Sequence, residues 1–406
     1  MTSRGMNALE TIASITNTRP VKPVFAFRPA ALERAARYFL ARFPGRVLYA
    51  VKTNPERHII QALHQYGVNA FDVASLQEIK TVSQFAPGAE LYFMHPVKSP
   101  HAIEEGYFRY NIRHFSLDCL DELHKIVECT KHASDLCLHL RLAMPNTFAE
   151  FNLAEKFGAS TQEAAKLLKE VRKAAHELGV TFHVGSQCMH PDAYRIAMRM
   201  ADKVITEARV NVEYFNVGGG FPSVYPGMIP PPMEEYFDAI LGEFRKILKK
   251  RPHVKLLCEP GRAMVAESTS VIVSVELRKD DTLYINDGTY GSLFDAGIPH
   301  FIFPVYLFRP GETANSADTS NFMPFSFYGP TCDSLDYMKG PFYLPNDTKT
   351  GDYIEIGQLG AYGRTLSTQF NGFKQEEGVI EVSDQPLMTM YEDNCITHEP
   401  LEIIAA

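Results

Sequence analysis

Lys52 closes an apolar segment in the run YAVKTN. A lysine at such a place is ordinarily solvated. The chemical alternative is an amine held in a dry mouth, where loss of its proton makes it a nucleophile able to form a Schiff base. Glu259, in CEPGR, is a carboxylate placed to face a ligand; Gly261 frees the backbone beside it, and Arg262 could meet a dianionic phosphate. Gly218, Gly219 and Gly220, in VGGGFP, form either a plain turn or a run of backbone N–H groups brought close to a phosphate that side chains would obstruct. His183 and Ser186, in HVGSQ, read either as a core histidine and its neighbour or as a ring stacked on a planar ligand and a hydroxyl donating to a phosphate. Cys332 and Asp333, in YGPTCDSLD, set a thiol beside a carboxylate, for which a structural cysteine is the ordinary reading. Tyr362, between the glycines of GAYG, places a phenol where it could reach an anion. None of these motifs is decisive alone.

The elements that would carry them follow a pattern. Between about residues 25 and 265, short segments rich in β-branched and aromatic residues precede longer amphipathic stretches. The strand segments are 46–52, 69–75, 91–96, 113–118, 136–142, 181–187, 213–220 and 255–261, and the first seven are each followed by a helical pattern such as AAKLLKEVRKAAHEL. Eight such units predict a (β/α)8 (TIM) barrel, with a doubly wound open sheet as the alternative. A barrel places functional residues at the C-terminal ends of its strands. Lys52, Asp72, Arg141, His183, Gly218 to Gly220 and Glu259 all lie there. After about residue 268 the helical period fades, and VIVSVELRK, TLYIND, DYIEIG and GVIEV read as strands. The expected division is a barrel over 24–267 and a mainly β domain over 268–406, joined by residues 1–23.

Bulk properties narrow the classes. A chain of 406 residues exceeds what one core usually serves. A net charge of −8 speaks against nucleic acid as a partner and weakly favours a cationic small molecule. No apolar run is long enough for a membrane span, and the first twenty residues lack a secretory apolar core, so a cytoplasmic protein is expected. The cysteines are Cys119, Cys129, Cys137, Cys188, Cys258, Cys332 and Cys395; their number is odd and no pair has C-x-x-C spacing. Buried free thiols are expected, without a disulfide framework or a structural zinc site.

Together, YAVKTN, FDVAS, HVGSQ, GGGFP, EPGR, GPTCDSLD and GAYG resemble the fold-type III pyridoxal-phosphate decarboxylases, in the ornithine decarboxylase group that includes bacterial ornithine/lysine forms. The resemblance runs from about residue 23 to 375. It implies an alanine-racemase-like barrel with a β domain, pyridoxal 5'-phosphate as cofactor, and decarboxylation of a basic amino acid, most closely L-ornithine to putrescine. Lysine and diaminopimelate decarboxylases are the nearest alternatives, and a non-catalytic decarboxylase-like regulator is the rival from another class. GPTCDSLD separates the chain from diaminopimelate decarboxylases, which usually carry Cys-Glu there.

The resemblance also implies roles. Lys52 would be the Schiff-base lysine, Glu259 the partner of the pyridine nitrogen, and His183 the stacking ring. Ser186, Gly218, Gly219, Gly220, Arg262 and Tyr362 would hold the phosphate, with Gly261 in the same segment, Asp72 near the lysine and Arg141 near the cofactor. Cys332 would donate the proton to Cα and Asp333 would meet the distal ammonium, both entering from the other subunit of a homodimer with shared sites. One departure stands out. In INDGTYGSLFDAGIPH, the place of a second acidic substrate-binding residue falls near Pro299 and His300, and Asp295 is the nearest acid.

Overall fold

A computed structural model describes residues 9–144, 149–151, 156–312, 321–373 and 378–391. The chain forms two compact units: Glu33–Ser223 with Pro230–Met264 and Met390–Ala406, and Met1–Leu32 with Val224–Ile229 and Val265–Thr389. Cys395 lies outside the described residues.

The first unit is a closed parallel barrel. Its strands run Arg46–Val47, Lys255–Cys258, Tyr214–Asn216, Glu177–Phe182, Cys137–Leu142, His114–Leu117, Glu90–Phe93, Ala70–Val73 and Tyr49–Ala50. Residues 46–50 therefore stand at both ends of the order, which is closure. Across the seam, Leu48 N–H donates to Cys258 O (2.8 Å) and Ala50 N–H to Pro260 O (3.0 Å). Alternation along each strand sends one set of side chains to the helices and the other to the axis. Leu48, Ala70, Tyr92, Met94, Cys137, Tyr214 and Leu257 make an interior cluster. Burying each of the larger apolar members contributes roughly 1.5–3 kcal/mol.

The sixth strand begins earlier than its sequence suggests. AAKLLKEVRKAAHEL predicts a helix to residue 178, yet the helix is Thr161–Ala174 and the strand is Glu177–Phe182. Period two wins in ELGVTF, where Leu178, Val180 and Phe182 are buried on one face and Gly179 turns to the axis. The last helix of the barrel repeat, Met233–Lys250, has Glu234 and Glu235 in its first turn and Lys249 and Lys250 in its last, complementing its dipole.

The second unit is a sheet ordered Val305–Phe308, Tyr353–Ile356, Thr269–Lys279, Thr282–Ile285, Phe322–Tyr328, Tyr337–Pro345. Val24–Phe27 also belongs to it, although the sequence reading placed residue 24 in the barrel: Val24 pairs with Ile272 and Phe27 with Thr269. All four residues of VFAF are buried, which suits a strand covered on both faces. Among the described residues no helix is long and apolar enough to cross a membrane. The six described cysteines are free; Cys137, Cys188 and Cys258 are buried, whereas Cys119 and Cys332 are exposed, against the expectation of buried thiols throughout.

Candidate functional site at the strand ends

The first strand stops at Ala50, and Lys52 lies in the single 3-10 turn Val51–Thr53 that follows. This turn is clamped. Tyr49 OH donates to Asn54 O (3.0 Å), and a Cβ on Gly261 would lie 2.1 Å from Thr53 Oγ1. Glycine at 261 is thus what lets the EPGR segment close on the turn. The Lys52 side chain is exposed, so the dry environment expected for its amine is not found. Its positive charge nevertheless acts on Asp72, Glu78, Glu259 and His183.

Those acids are unusual. Glu259 is buried and its carboxyl is pushed up to about 8, first by burial and then by Asp72, against the opposing pull of Arg141, an Asn216 hydrogen bond and Lys52. Burial likewise raises Asp72 to about 6, opposed by Lys52, Arg141 and the Met94 N–H. Glu78, half-buried, is raised to about 7 by burial, although the Ala74 N–H donates to its Oε2 at 2.7 Å. Burial lowers Arg141, whose guanidinium lies 5.4 Å from the Phe157 ring centre. Burial, then Lys52 and Arg141, hold His183 far below the usual imidazole range. Its ring is neutral, and Nδ1 accepts from the Gly185 N–H at 3.0 Å, which leaves the proton on Nε2. A pocket of desolvated carboxyls gains from receiving a cation.

The glycine run is shaped by contact. A Cβ on Gly218 would lie 1.8 Å from Phe182 O, on Gly219 2.7 Å from Glu259 O and 2.9 Å from His183 Nε2, and on Gly220 2.5 Å from Gly185 O. Gly218 and Gly220 have φ of +67° and +104°. Neither the Gly219 nor the Gly220 amide donates a hydrogen bond among the described residues. Asn216 locks this loop to the acid: its Nδ2 donates to Glu259 Oε1 (2.6 Å) and its Oδ1 accepts from the Gly218 N–H (2.9 Å). Cys188 N–H to Gly220 O (2.9 Å) ties the strand Ser186–Cys188, and with it half-buried Ser186, to the same loop. Arg262 is buried at the start of the short helix Arg262–Val265. Sequence reading missed Asn216 and Glu78. Asn216 is visible only as the polar residue in the buried strand YFN, two positions before the first glycine, on the same face.

The sheet unit carries the remaining candidates. Asp333 accepts from Tyr290 OH (2.7 Å) and the Leu335 N–H (3.0 Å), and these bonds, the backbone one first, hold its carboxyl below the usual range. Buried Asp336 accepts from Thr289 N–H (2.7 Å), Thr331 N–H (3.0 Å) and Thr331 Oγ1 (2.7 Å), which joins the TCDSLD loop to the loop bearing Tyr290. Cys332 is exposed, its N–H donating to Asn371 Oδ1 (3.1 Å). Asp295 is buried in the short helix Phe294–Gly297. Tyr362 has φ +57° between Gly360 and Gly363, a left-handed turn that costs a non-glycine residue about 1–3 kcal/mol.

Two family descriptions match the chain: the pyridoxal binding domain of pyridoxal-dependent decarboxylases over residues 30–266, and their C-terminal sheet domain over 264–360. The lysine/ornithine decarboxylase of Selenomonas ruminantium is 31% identical over 349 residues, 84% of each chain. Antizyme inhibitor 2 of Xenopus laevis is 29% identical, over 83% of this chain and 76% of its own. The arginine decarboxylase of Paramecium bursaria Chlorella virus, solved bound to agmatine, superposes with a TM-score of 0.78 at 26% identity, covering 91% of this chain and all of that one.

Proposed function

Since the chain belongs to the pyridoxal-dependent decarboxylase family, carboxy-lyases that carry pyridoxal 5'-phosphate, we propose that it decarboxylates L-ornithine to putrescine, from the strand ends around Lys52 and Glu259. The observation that carries this reading is Glu259: a buried, desolvated carboxyl, fixed by Asn216 beside a glycine loop whose amides at 219 and 220 have no acceptor among the described residues. That arrangement fits a cofactor with a cationic ring nitrogen at one end and a phosphate at the other. When bound, pyridoxal phosphate supplies a conjugated electron sink for the pair left at Cα by loss of CO2.

The roles divide as follows. Lys52 would be the amine that holds the cofactor's aldehyde. Glu259 would keep the ring nitrogen protonated, since a cation beside it restores its ionised form. His183, neutral and fixed by Gly185, would stack on the ring, with Asp72 and Arg141 nearby. Gly218, Gly219, Gly220, Ser186 and Arg262 would hold the phosphate, and Gly261 sets the Lys52 turn. Cys332 gives Cα its proton. Asp333, kept anionic by Tyr290 and Leu335, pairs with the distal ammonium. Asp295 is the candidate for a second acid at the substrate's distal end. Cys332 and Asp333 act across a homodimer in the cytoplasm.

Side-by-side decarboxylation of L-ornithine, L-lysine, L-arginine and diaminopimelate tests the substrate. Ornithine should give the highest kcat/KM, but one methylene is worth only about 1–3 kcal/mol, so lysine should trail by about 10–200-fold. Faster turnover of lysine or arginine overturns the assignment. Cofactor binding with turnover of none favours the regulator reading, which the relative named antizyme inhibitor 2 keeps open. The shared site has its own test. Mixing inactive Lys52→Ala and Cys332→Ala chains should restore up to about a quarter of activity if dimers exchange randomly and sites are shared. A mixture that exchanges subunits yet stays inactive places each site within one chain.

A further inference from the structure

At the opposite pole of the barrel, the strands His114–Leu117 and Cys137–Leu142 begin on a different set of chemical groups. His114 and Cys137 are direct register partners, and His139 follows Cys137 by two, so both residues of that strand share a face. All three side chains are buried, and their ligand atoms lie within 4.8 Å of one another. His114 Nδ1 is 3.0 Å from His139 Nε2, and Cys137 Sγ is 3.6 Å from the same nitrogen. We propose that His114, Cys137 and His139 form a binding site for a divalent cation of the zinc class.

The geometry supports this. Ligands around tetrahedral zinc, with bonds of about 2.05 Å to nitrogen and 2.3 Å to sulfur, stand about 3.3 Å apart for a nitrogen pair and about 3.6 Å for nitrogen and sulfur. Glu90 Oε1 lies 3.1 Å from His114 Nε2. Holding the proton there makes Nδ1 the acceptor of its contact with His139 Nε2, a lone pair that a metal would take over, in the carboxylate–histidine arrangement that orients metal ligands. Tyr92 stacks on the His114 ring at 4.0 Å and fixes its plane. Room for His139 is made by its register partner Gly179, where a Cβ would lie 2.3 Å from His139 Nδ1. The half-exposed Glu90 marks the way in from solvent. Two imidazoles and a thiolate suit zinc rather than magnesium or calcium, and three protein ligands leave a fourth position for water. On binding, the Cys137 S–H bond breaks, its electron pair forms the sulfur–metal bond, and the proton leaves to solvent.

Cobalt(II) is the probe. The holoenzyme, dialysed against a chelator, should bind one equivalent of Co2+ per chain, develop a thiolate-to-cobalt charge-transfer band over the cofactor's own absorbance, and release protons. Cys137→Ser should lose the band, and Cys332→Ser, which removes an exposed thiol, should keep it. Glu90→Gln, a change at a half-exposed position, should weaken binding about 10–100-fold. Absence of stoichiometric binding, a band that survives in Cys137→Ser, or unchanged affinity in Glu90→Gln overturns the site. The last measurement decides should Cys137→Ser not fold.

Discussion

Replacing Lys52 by alanine is expected to lower kcat/KM on the order of 10^4-fold, about 5.5 kcal/mol of transition-state stabilisation, while the fold survives. The side chain is exposed, and the turn that carries it is held by backbone bonds and by Gly261 against Thr53. Substitutions at such places ordinarily change stability by about 0.5 kcal/mol or less. The loss is therefore chemical. The visible absorbance of the covalently held cofactor should vanish from Lys52→Ala, and the thermal midpoint should stay within a few degrees. Lys52→Arg separates charge from nucleophile: it keeps a cation facing Asp72 and Glu259 but cannot bind an aldehyde. Recovery of more than a few per cent of activity in the arginine variant assigns Lys52 a purely electrostatic role and removes it from the covalent chemistry.

What could be read beforehand has a physical boundary. Strand ends were legible because a buried parallel strand is a short β-branched run, and the residue after it is where a barrel keeps its chemistry. Lys52, His183 and Glu259 each follow a short apolar run, and Asp72 and Arg141 each lie one residue before the end of theirs. The ELGV segment was not legible, because a helical period and a two-residue period overlap there and packing decides between them. Asn216 was missed because its importance lies in a partner 43 residues away, Glu259, and not in its own neighbours. The His114, Cys137 and His139 cluster went unnoticed for the same reason. C-x-x-C spacing reports ligands gathered by a local turn, whereas His114 and Cys137 are gathered by strand register across 23 residues. Val24–Phe27 belongs with strands more than 240 residues later, a pairing that no local pattern announces.

Glu259→Gln should make the cofactor-free protein more stable and the loaded enzyme about 10^2–10^3-fold slower. Glutamine keeps the volume and the oxygen that accepts from Asn216, so packing is preserved. What it loses is the charge. In the folded chain the Glu259 carboxyl is raised from the ordinary 4.5 to about 8, chiefly by burial. The native state then holds a proton that the unfolded chain releases above about pH 4.5, so this residue's contribution to stability is complete below that pH and lost as pH rises through about 8. The variant has no such term. Its melting temperature without cofactor should exceed that of the parent near pH 8 and vary less between pH 5 and 8. With cofactor the order reverses, because an amide cannot hold a pyridinium proton by charge. Equal melting curves for the two proteins across this range mean that the parent carboxyl is not buried uncharged. An undiminished kcat in the variant separates Glu259 from the ring nitrogen, and with it the reason for burying an acid at this strand end.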